Sequence, residues 1–333
     1  MVQFTVIGSL NYDLVSYTSR APERGETFRA DSFETHVGGK GLNQTIALAK
    51  TISTSRKSSV RMIGHVGDDS FGSQLKGALE EFGVDTSGVK VLENQSSGVA
   101  VITVEKDTGD NRILITAGAN DQSEFTPSQL ESLFPSKKNE DQEVVVFQNE
   151  IPGTQSSIEW LSSSRPGVEI VYNPSPYYST SVNLLKHTDI LVVNEGEAMS
   201  IAKDILPSQE YTNFRDEIEK DDVAGYTHLS TVLQSQLSIN HSQTVVITLG
   251  PIGSLYTSKD KSEFIEATKV KKVVDTTGAG DTFLGAFTTQ LFTESKGNVG
   301  NALRFAALAS SLAIQKNGAA ESIPLYSEIV GAN

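Results

Sequence analysis

The chain has 333 residues, 38% of them hydrophobic and 20% charged, which is enough for one large α/β domain or two smaller ones. It contains no cysteine, so disulfides and thiolate metal sites are excluded, and its net charge of −14 argues against nucleic acid or an anionic membrane surface as a partner. No apolar run approaches the roughly 18–20 residues of a membrane span, and no secretory signal precedes the first strand pattern. We therefore expect a cytoplasmic protein, of a size that can also reach the nucleus.

Short runs of β-branched residues alternate with longer helical patterns along most of the chain. Apolar strands separated by helices predict a mostly parallel sheet covered on both faces, with ligand-binding loops at its carboxyl edge. The strands are predicted at residues 5–7, 60–63, 144–147, 169–172, 190–193 and 245–248. The helices are predicted at residues 42–53, 71–82, 154–163, 196–206, 282–293 and 299–316.

Two stretches, 12–38 and 96–116, depart from this alternation. The second has the pattern of two strands, 98–104 and 112–115, around the turn D-T-G-D-N. Strands outside an α/β rhythm predict a small separate sheet, which could cover a site, form a dimer contact or do both. Residues 207–242 are polar and have only a weak helical pattern, for which a surface helix or an insertion is the simplest prediction.

The most informative segment is D-T-T-G-A-G-D at residues 275–281, which leads into a helical pattern beginning near Thr282. Two glycines around an alanine, at the mouth of a helix, would leave backbone N–H groups exposed, and such groups bind phosphate oxygens with help from the helix dipole. A carboxylate there, Asp281, would repel an anion, but it suits a general base that takes a proton from a hydroxyl beside the anion site. The alternative is a capped turn, with Asp281 as the N-cap of the helix.

Near the N-terminus the first strand ends in G-S-L-N-Y-D, where Asn11 and Asp13 project from one face of an extended chain. Both side chains can bind the hydroxyls of a sugar or polyol, although N-x-D at a strand end is also a common turn or cap. The string V-G-G-K-G-L-N-Q follows at residues 37–44, where glycines allow close backbone approach, Lys40 supplies a cation and Asn43 lies one helical turn on. It is not a Walker A loop. The alternative is a flexible loop before a helix cap, and we favour a ligand site.

Two further strand ends carry weaker signals. After one strand, Asn194 and Glu197 stand three residues apart and could position metal-bound water near phosphates. After another, the T-L-G-P-I-G run from Thr248 to Gly253 could let a nucleotide lie against the backbone. Glycine turns after strands are routine, so neither motif alone defines a site.

Taken in chain order, these motifs resemble the ribokinase family of carbohydrate kinases, and the resemblance spans essentially the whole chain. Its two signatures are G-G-K-G-L-N-Q at residues 38–44 and D-T-T-G-A-G-D-T-F at residues 275–283, both without departures. The G-S-L-N-Y-D strand end and the long 207–242 segment suggest a fungal or other eukaryotic member. The resemblance implies an α/β three-layer sandwich with a mostly parallel central sheet and a small β-sheet lid that often pairs two subunits into a homodimer. It places residues 1–11, 39–95 and 117–333 in the catalytic core and residues 12–38 and 96–116 in the lid.

The family resemblance implies ATP-dependent phosphorylation of D-ribose at O5, giving D-ribose 5-phosphate and ADP, with Mg²⁺ and K⁺ as cofactors. The alternative is another sugar or nucleoside kinase of the family, acting on fructose or adenosine, although the intact G-G-K-G-L-N-Q string argues against an adenosine kinase. A regulatory protein without the chemistry would be expected to lose Asp281 or the glycines beside it. A dinucleotide-dependent oxidoreductase is disfavoured because the first strand does not lead into G-x-G-x-x-G.

The resemblance also implies roles for individual residues. Asp281 matches the catalytic base, and the backbone of Gly278, Ala279, Gly280 and Asp281 matches the anion hole. The positions that match sugar-binding residues are Asn11, Asp13, Gly39, Lys40, Asn43 and Glu150. Those that match the nucleotide site are Asn194, Thr248, Leu249, Gly250, Gly253, Gly280 and Ala307, and Glu197 matches a position associated with magnesium. Those that match the potassium site, mostly through backbone oxygens, are Asp275, Thr277, Ala313, Lys316, Gly318 and Ser322.

Overall fold

The structure is a computed structural model that describes residues 1–53, 57–135, 142–237 and 243–332. Its strands are β1 (Val2–Ile7), β2 (Asn11–Thr18), β3 (Ser32–Gly38), β4 (Ser58–Gly67), β5 (Asp85–Leu92), β6 (Gly98–Glu105), β7 (Asn111–Thr116), β8 (Gln142–Phe147), β9 (Val168–Tyr172), β10 (Ile190–Asn194), β11 (Thr244–Thr248), β12 (Gly253–Thr257) and β13 (Ser262–Glu266). Its helices are α1 (Lys40–Thr51), α2 (Ser70–Glu81), α3 (Pro127–Leu133), α4 (Thr154–Ser164), α5 (Val182–Leu185), α6 (Glu195–Ile205), α7 (Ser208–Lys220), α8 (Asp222–Leu237), α9 (Ala279–Phe292), α10 (Val299–Ala313) and α11 (Tyr326–Gly331).

Nine of the described strands form one twisted layer in the order β13-β12-β11-β10-β9-β8-β1-β4-β5. The strands from β11 to β5 in this order run parallel, and β12 and β13 continue the sheet antiparallel. Successive side chains of β8 alternate between two buried clusters: Val144 and Val146 join the cluster formed with α1, α2, α9 and α10, whereas Val145 and Phe147 join the cluster formed with α3, α4, α6 and α8. The predicted α/β three-layer fold with a mostly parallel sheet is confirmed.

The predicted strands and helices are all present, because continuous β-branched runs and helical periodicity are local signals. The last helix prediction, 299–316, is too long by one turn, since α10 ends at Ala313. Strands β5, β12 and β13 were not predicted. Exposed positions make β5 and β13 less apolar than the buried strands, and β12 is a short buried strand of mixed sequence, G-S-L-Y-T. No helix in the described ranges combines the length and the apolar character needed to cross a bilayer.

The prediction of a surface helix or insertion for residues 207–242 is correct for only part of the segment. Its described part forms two helices, α7 and α8, and residues 238–242 lie outside the described residues. Helix α7 is largely exposed and buries Phe214, as expected of a surface helix. Helix α8 is a core helix instead: it packs on β11 and β12 and buries Leu229, Leu233 and Leu237. The three leucines recur every four residues, but the polar residues between them make the helical periodicity too weak to predict a buried face.

A second, four-stranded sheet has the order β3-β2-β6-β7. Strand β2 pairs in parallel with β6, and the two outer pairings are antiparallel. The first two strands of this sheet, β2 and β3, lie between the carboxyl end of β1 and Gly39, which precedes α1. The other two, β6 and β7, follow β5. Tyr12 of β2 stacks on Phe71 of α2 at 4.4 Å between ring centroids, which ties one end of the small sheet to the helical layer. The small sheet therefore stands at the carboxyl edge of the large one, where a ligand site is expected.

Candidate active site

A cavity of about 260 Å³ lies where the carboxyl ends of β9, β10 and β11 meet the first turns of α1 and α9. Two features of the fold converge there: loops at the carboxyl edge of a parallel sheet and two helix N-termini, whose free N–H groups favour anions. The predicted site residues that line the cavity are Lys40, Asn194, Glu197, Thr248, Gly278, Gly280 and Asp281.

The glycine turn before α9 is built around Gly278. This residue has φ 72°, a left-handed conformation that costs glycine little, and it is the N-cap of the helix. The Ala279 N–H is bonded to the Thr276 carbonyl at 3.2 Å, whereas the N–H groups of Gly278, Gly280 and Asp281 have no acceptor among the described residues. Three of the four predicted anion-hole N–H groups are thus free to bind an anion, and that of Ala279 is not.

The alternative role of Asp281 as an N-cap is wrong. Because Gly278 adopts the left-handed conformation, α9 starts at Ala279, three residues before the predicted start, and Asp281 is the third residue of the helix. The residue is 8% exposed, and its carboxylate accepts hydrogen bonds from Gln44 Nε2 at 2.9 Å and from Asn43 Nδ2 at 3.2 Å. The G-G-K-G-L-N-Q and D-T-T-G-A-G-D motifs are therefore in direct contact.

Three charged groups from different elements surround the start of α1. Glu150 accepts the Lys40 N–H at 2.9 Å and the Ser9 hydroxyl, and burial raises the pKa of Glu150 although these two bonds oppose the shift. Burial and the nearby charge of Glu150 raise the pKa of Asp13 to about 7, partly offset by His36. Burial lowers the pKa of Lys40, but the surrounding carboxylates outweigh it, so the Lys40 pKa lies above its usual value and the ammonium stays charged.

The side chain of Asn11 is fixed by a residue that the sequence analysis did not select. Asn120, in a short 3₁₀ helix after β7, is buried and donates from Nδ2 to Asn11 Oδ1 at 2.9 Å. Its amide also bonds to both backbone groups of Leu10: it accepts from the Leu10 N–H at 2.9 Å and donates to the Leu10 carbonyl at 3.0 Å. The acceptor of Asn11 is thereby occupied, which leaves its NH₂ group to meet a ligand.

Asn194 and Glu197 form a capping box at the start of α6. The Asn194 side chain accepts the Glu197 N–H at 2.8 Å, and Glu197 Oε2 accepts the Asn194 N–H at 3.0 Å. Both residues also line the cavity. The cap holds one oxygen of the Glu197 carboxylate and keeps the group at the cavity wall.

The residues predicted to hold a nucleotide are spread beyond the cavity. Thr248 lines it at the end of β11, and Leu249 and Gly253 close the tight turn to β12 through a backbone bond of 2.8 Å. Leu249 is fully buried and its N–H is the donor of that bond, so it presents no free surface to a ligand. Gly250 lies in the same turn, and Ala307 lies on α10, which packs against α9 and β12. The structure brings Thr248 to the cavity and leaves the other four outside its lining.

The two loops predicted to hold a monovalent cation are joined by Asp275. Its Oδ1 accepts the Thr277 N–H at 2.9 Å and the Thr277 hydroxyl at 2.7 Å, and its Oδ2 accepts the Gly318 N–H at 3.0 Å. Burial alone would raise the pKa of Asp275, but these hydrogen bonds outweigh it and hold the pKa below its usual range. Of the other positions, Ala313 ends α10, the Lys316 ammonium pairs with Glu328 at 3.2 Å, and the Ser322 hydroxyl donates to a neighbouring carbonyl.

The described residues contain no group of three or more His, Asp or Glu side chains arranged to hold a metal ion. A site built from backbone oxygens needs no such group, and neither does a metal held through water by Glu197. Four further residues were not predicted: Ser9, Gln44 and Asn120, which bond to predicted residues, and Asn173, which lines the cavity and bonds to Gln44. Gln44 is part of the G-G-K-G-L-N-Q string, and Asn173 directly follows a predicted strand, so both could have been found there. Asn120 stands in no recognisable pattern.

The family model for pfkB carbohydrate kinases matches residues 1–325, so the chain belongs to this family and is a kinase. It is 36% identical over 335 residues to the ribokinase of Schizosaccharomyces pombe, covering 100% of this chain and 98% of that protein. Its fold is similar to ribokinase from Cryptococcus neoformans var. grubii in complex with ADP, with a TM-score of 0.78 and 27% identity over 100% of both chains. It is equally similar to Arabidopsis thaliana ribokinase complexed with ribose and ATP, with a TM-score of 0.78 and 27% identity over 98% of this chain and 97% of that one. The predicted family is confirmed.

Proposed function

We propose that this chain transfers the γ-phosphoryl group of ATP to O5 of D-ribose, giving D-ribose 5-phosphate and ADP. The observation that carries the proposal is the buried Asp281 carboxylate, which shares one cavity with Lys40 and with the glycine turn at the start of α9. A proton acceptor, an anion-binding turn and a cation are the groups that phosphoryl transfer to a hydroxyl requires. The similarity to a ribokinase complexed with ribose and ATP supports these two substrates.

The sugar is proposed to bind between β2 and the first turn of α1. The Oδ1 atom of Asn43 is buried and has no hydrogen-bond partner among the described residues, and a sugar hydroxyl that donates to it would remove that cost. Carboxylates and amides accept or donate to several hydroxyls at once, which suits a polyol. The residues proposed to contact the sugar are Asn11, Asp13, Gly39, Lys40, Asn43 and Glu150.

The transfer step follows from the positions of these groups. The O5 hydroxyl gives its proton to Asp281 as O5 bonds to the γ-phosphorus, and the bond from that phosphorus to the bridging oxygen breaks, with its electron pair leaving on ADP. The free N–H groups of Gly278, Gly280 and Asp281 stabilise the charge on the phosphoryl oxygens, and the Lys40 ammonium adds to this stabilisation. Asp281 then returns its proton to solvent.

The nucleotide is proposed to extend from the glycine turn along Asn194 and the β11–β12 turn toward Ala307. Glu197 is suited to hold Mg²⁺ through bound water, because its carboxylate lines the cavity while the capping bond fixes its position. Magnesium, when bound, neutralises charge on the phosphates. The potassium site is proposed at Asp275, Thr277, Ala313, Lys316, Gly318 and Ser322, where the Asp275–Gly318 bond holds two loops together. Potassium would add a fixed positive charge beside the start of α9.

The small sheet is proposed to act as a lid over the sugar and as the dimer contact, with residues 12–38 and 96–116 moving against the rest of the chain. In the register of the small sheet, Asp13, Ala100 and Ile115 share one face, which we assign to the sugar, and Leu14, Val101 and Leu114 share the other. The second face exposes 47% of Val101, 71% of Leu114 and 59% of Phe33. Strand β7 pairs with β6 on one side only, and its outer edge has no partner strand among the described residues. Exposed apolar side chains beside such an edge favour association with a second copy of the chain.

The function is tested by ADP release from ATP and magnesium over a panel of D-ribose, other pentoses, fructose and adenosine, in potassium or in sodium. We expect release that depends on ribose and is faster in potassium. Preference for fructose or adenosine would retain the kinase but overturn the substrate. Equal rates in potassium and sodium would contradict the cation site, and no turnover on any acceptor would contradict the proposed function.

The affinity for ribose is expected to fall in mild acid. Asp13 must be ionised to accept sugar hydroxyls, and its pKa in the free protein is raised to about 7. Below that pH, kcat/KM for ribose should fall, approaching about tenfold per pH unit, whereas kcat at saturating ribose should change less. Asp13→Asn should remove the inflection near pH 7. A wild-type profile that is flat between pH 6 and 8 would contradict the role of Asp13.

The same carboxyl predicts the sign of a stability change. Because its folded pKa lies above the usual 3.8, its contribution to the free energy of unfolding is fully present below 3.8 and is lost as the pH rises through about 7. The free energy of unfolding of the ribose-free wild type, measured with urea, should therefore be higher at pH 6 than at pH 8. This difference should be absent from Asp13→Asn, whose side chain does not titrate.

A charge on the second face of the lid, the face that carries Val101 and Leu114, is expected to dissociate the dimer. Leu114→Glu would place a carboxylate in the proposed apolar contact, where burial without a partner is costly. Sedimentation velocity at micromolar concentration should show a dimer for wild type and a monomer for the variant. Val330→Glu, at an exposed apolar residue of α11, is the matched control and should remain dimeric. A monomeric wild type would contradict the proposed contact.

A further inference from the structure

Gln44 is a fully buried side chain at the centre of a chain of amides that ends on Asp281. Its Nε2 donates to Asp281 Oδ1 at 2.9 Å and to Asn173 Oδ1 at 3.2 Å. Its Oε1 accepts from Gln148 Nε2 at 2.7 Å. Both N–H groups of this amide are therefore engaged and its oxygen accepts one hydrogen bond, and the side chain is buried and outside the lining of the cavity.

Besides Asp281, Gln44 contacts two amides that follow strand ends, and one of them, Asn173, is fixed by a further bond. Asn173 follows β9 and donates from its own Nδ2 to the Val192 carbonyl at 2.9 Å, so its oxygen is the atom turned toward Gln44. Gln148 follows β8, and its backbone carbonyl accepts the Thr154 hydroxyl at 2.8 Å. The Asn173 amide is fixed by its bond to Val192 and presents its oxygen, so the Gln44 amide meets it with its nitrogen, the atom that also reaches Asp281. The Gln148 amide donates to the Gln44 oxygen, but its own oxygen is buried without a partner among the described residues, so the orientation of Gln44 is set by Asn173.

The two oxygens of Asp281 are consequently not equivalent. Oδ1 receives the short bond from the anchored Gln44 amide, whereas Oδ2 receives a longer bond, 3.2 Å, from Asn43. Asn43 has a buried oxygen without a partner among the described residues, so its amide can rearrange at little cost when a ligand supplies better contacts. Oδ2 is the atom whose partner can change.

We propose that Gln44 is a positioning residue for the phosphoryl transfer: it holds Oδ1 of Asp281 so that Oδ2 faces the hydroxyl that is to be deprotonated. The inference rests on the proposed function, because it requires Asp281 to be the base. Gln44 acts through Asp281 alone and lies outside the lining of the cavity. The end of β9 holds the carboxylate through Asn173 and this one amide.

Gln44→Met tests the inference, since methionine has a similar shape and no hydrogen-bonding amide. We expect kcat with ribose to fall roughly 10- to 100-fold, the effect of one hydrogen bond to a charged group, with the KM for ribose changed by less than about threefold. A residue that only supports the fold would lower the melting temperature and leave kcat per folded molecule unchanged. Gln155→Met, on the exposed surface of α4, is the matched control and should behave as wild type.

The double variant with Asp281→Asn gives the decisive comparison. If Gln44 acts only through the carboxylate, adding Gln44→Met to Asp281→Asn should cause no further loss of kcat. The same fold-loss in both backgrounds would overturn the inference. Should Gln44→Met fail to fold, Gln148→Met removes only the donor to the Gln44 oxygen, and a fall in kcat without a change in KM is again expected. Wild-type turnover of ribose with an unaffected Gln44→Met would overturn this inference alone, whereas a wild type without turnover would overturn the proposed function.

Discussion

Asp281→Asn is expected to lower kcat with ribose by roughly 10²- to 10⁴-fold, the range for loss of a general base. Asparagine has nearly the same shape and can still accept the Gln44 bond that now holds Oδ1 at 2.9 Å, so the fold should be kept. It cannot take the proton from the O5 hydroxyl, and it removes a negative charge from beside Lys40. The measurement is ADP release at saturating ribose and ATP, together with calorimetric binding of ribose to each protein.

The control for Asp281→Asn is Asp260→Asn, the same change at an exposed position between β12 and β13. It should leave kcat and the melting temperature unchanged, since the side chain lies on the surface and outside the cavity. Ribose should still bind to Asp281→Asn, because most of the proposed sugar contacts are untouched. A kcat within tenfold of wild type would remove Asp281 from its proposed role.

Gly278→Ala is expected to lower kcat by roughly 10²- to 10³-fold, as when a donor to a transition-state anion is lost. At φ 72° an added Cβ is strained, and it would lie 3.0 Å from Ala319 Cα and 3.1 Å from Ala319 Cβ. Relief of this crowding must shift the turn and turn its N–H groups away from the phosphoryl oxygens. The proposed sugar contacts lie on other elements, so ribose affinity without ATP should change little, and titration of ribose in the absence of nucleotide would measure it.

Gly83→Ala separates backbone strain from loss of the anion site. Gly83 also has a positive φ, 70°, but open space surrounds its Cβ position after α2. Its substitution should cost about 1 kcal/mol of stability, the usual penalty for a left-handed alanine, and leave kcat unchanged. If Gly83→Ala and Gly278→Ala reduced activity to the same extent, the loss would be a consequence of stability and not of the turn.

The order and type of most elements, and the two motifs of the site, could be predicted from the amino-acid sequence. Strands β8, β10 and β11 are continuous apolar runs because both of their faces are buried, and that property is visible in any short window. The glycine motif at residues 275–281 is equally local, because glycine adopts a left-handed conformation at little cost, but the motif does not show which of its residues caps the helix. Helix α8 was misjudged since its three buried leucines stand among polar residues, and only its neighbours, β11 and β12, show that this face is covered.

Which side chains meet at the site depends on how the elements pack, and no pattern in the sequence shows it. Gln44 and Asp281 are 237 residues apart, Asn11 and Asn120 are 109 apart, and each pair is a hydrogen bond between elements that the sheet brings together. The start of α9 depended on Gly278 taking the left-handed conformation, which moved Asp281 from a cap to the third helical residue. Periodicity and propensity describe neighbours along the chain. These contacts depend on strand order and helix packing, and local sequence patterns carry no information about either.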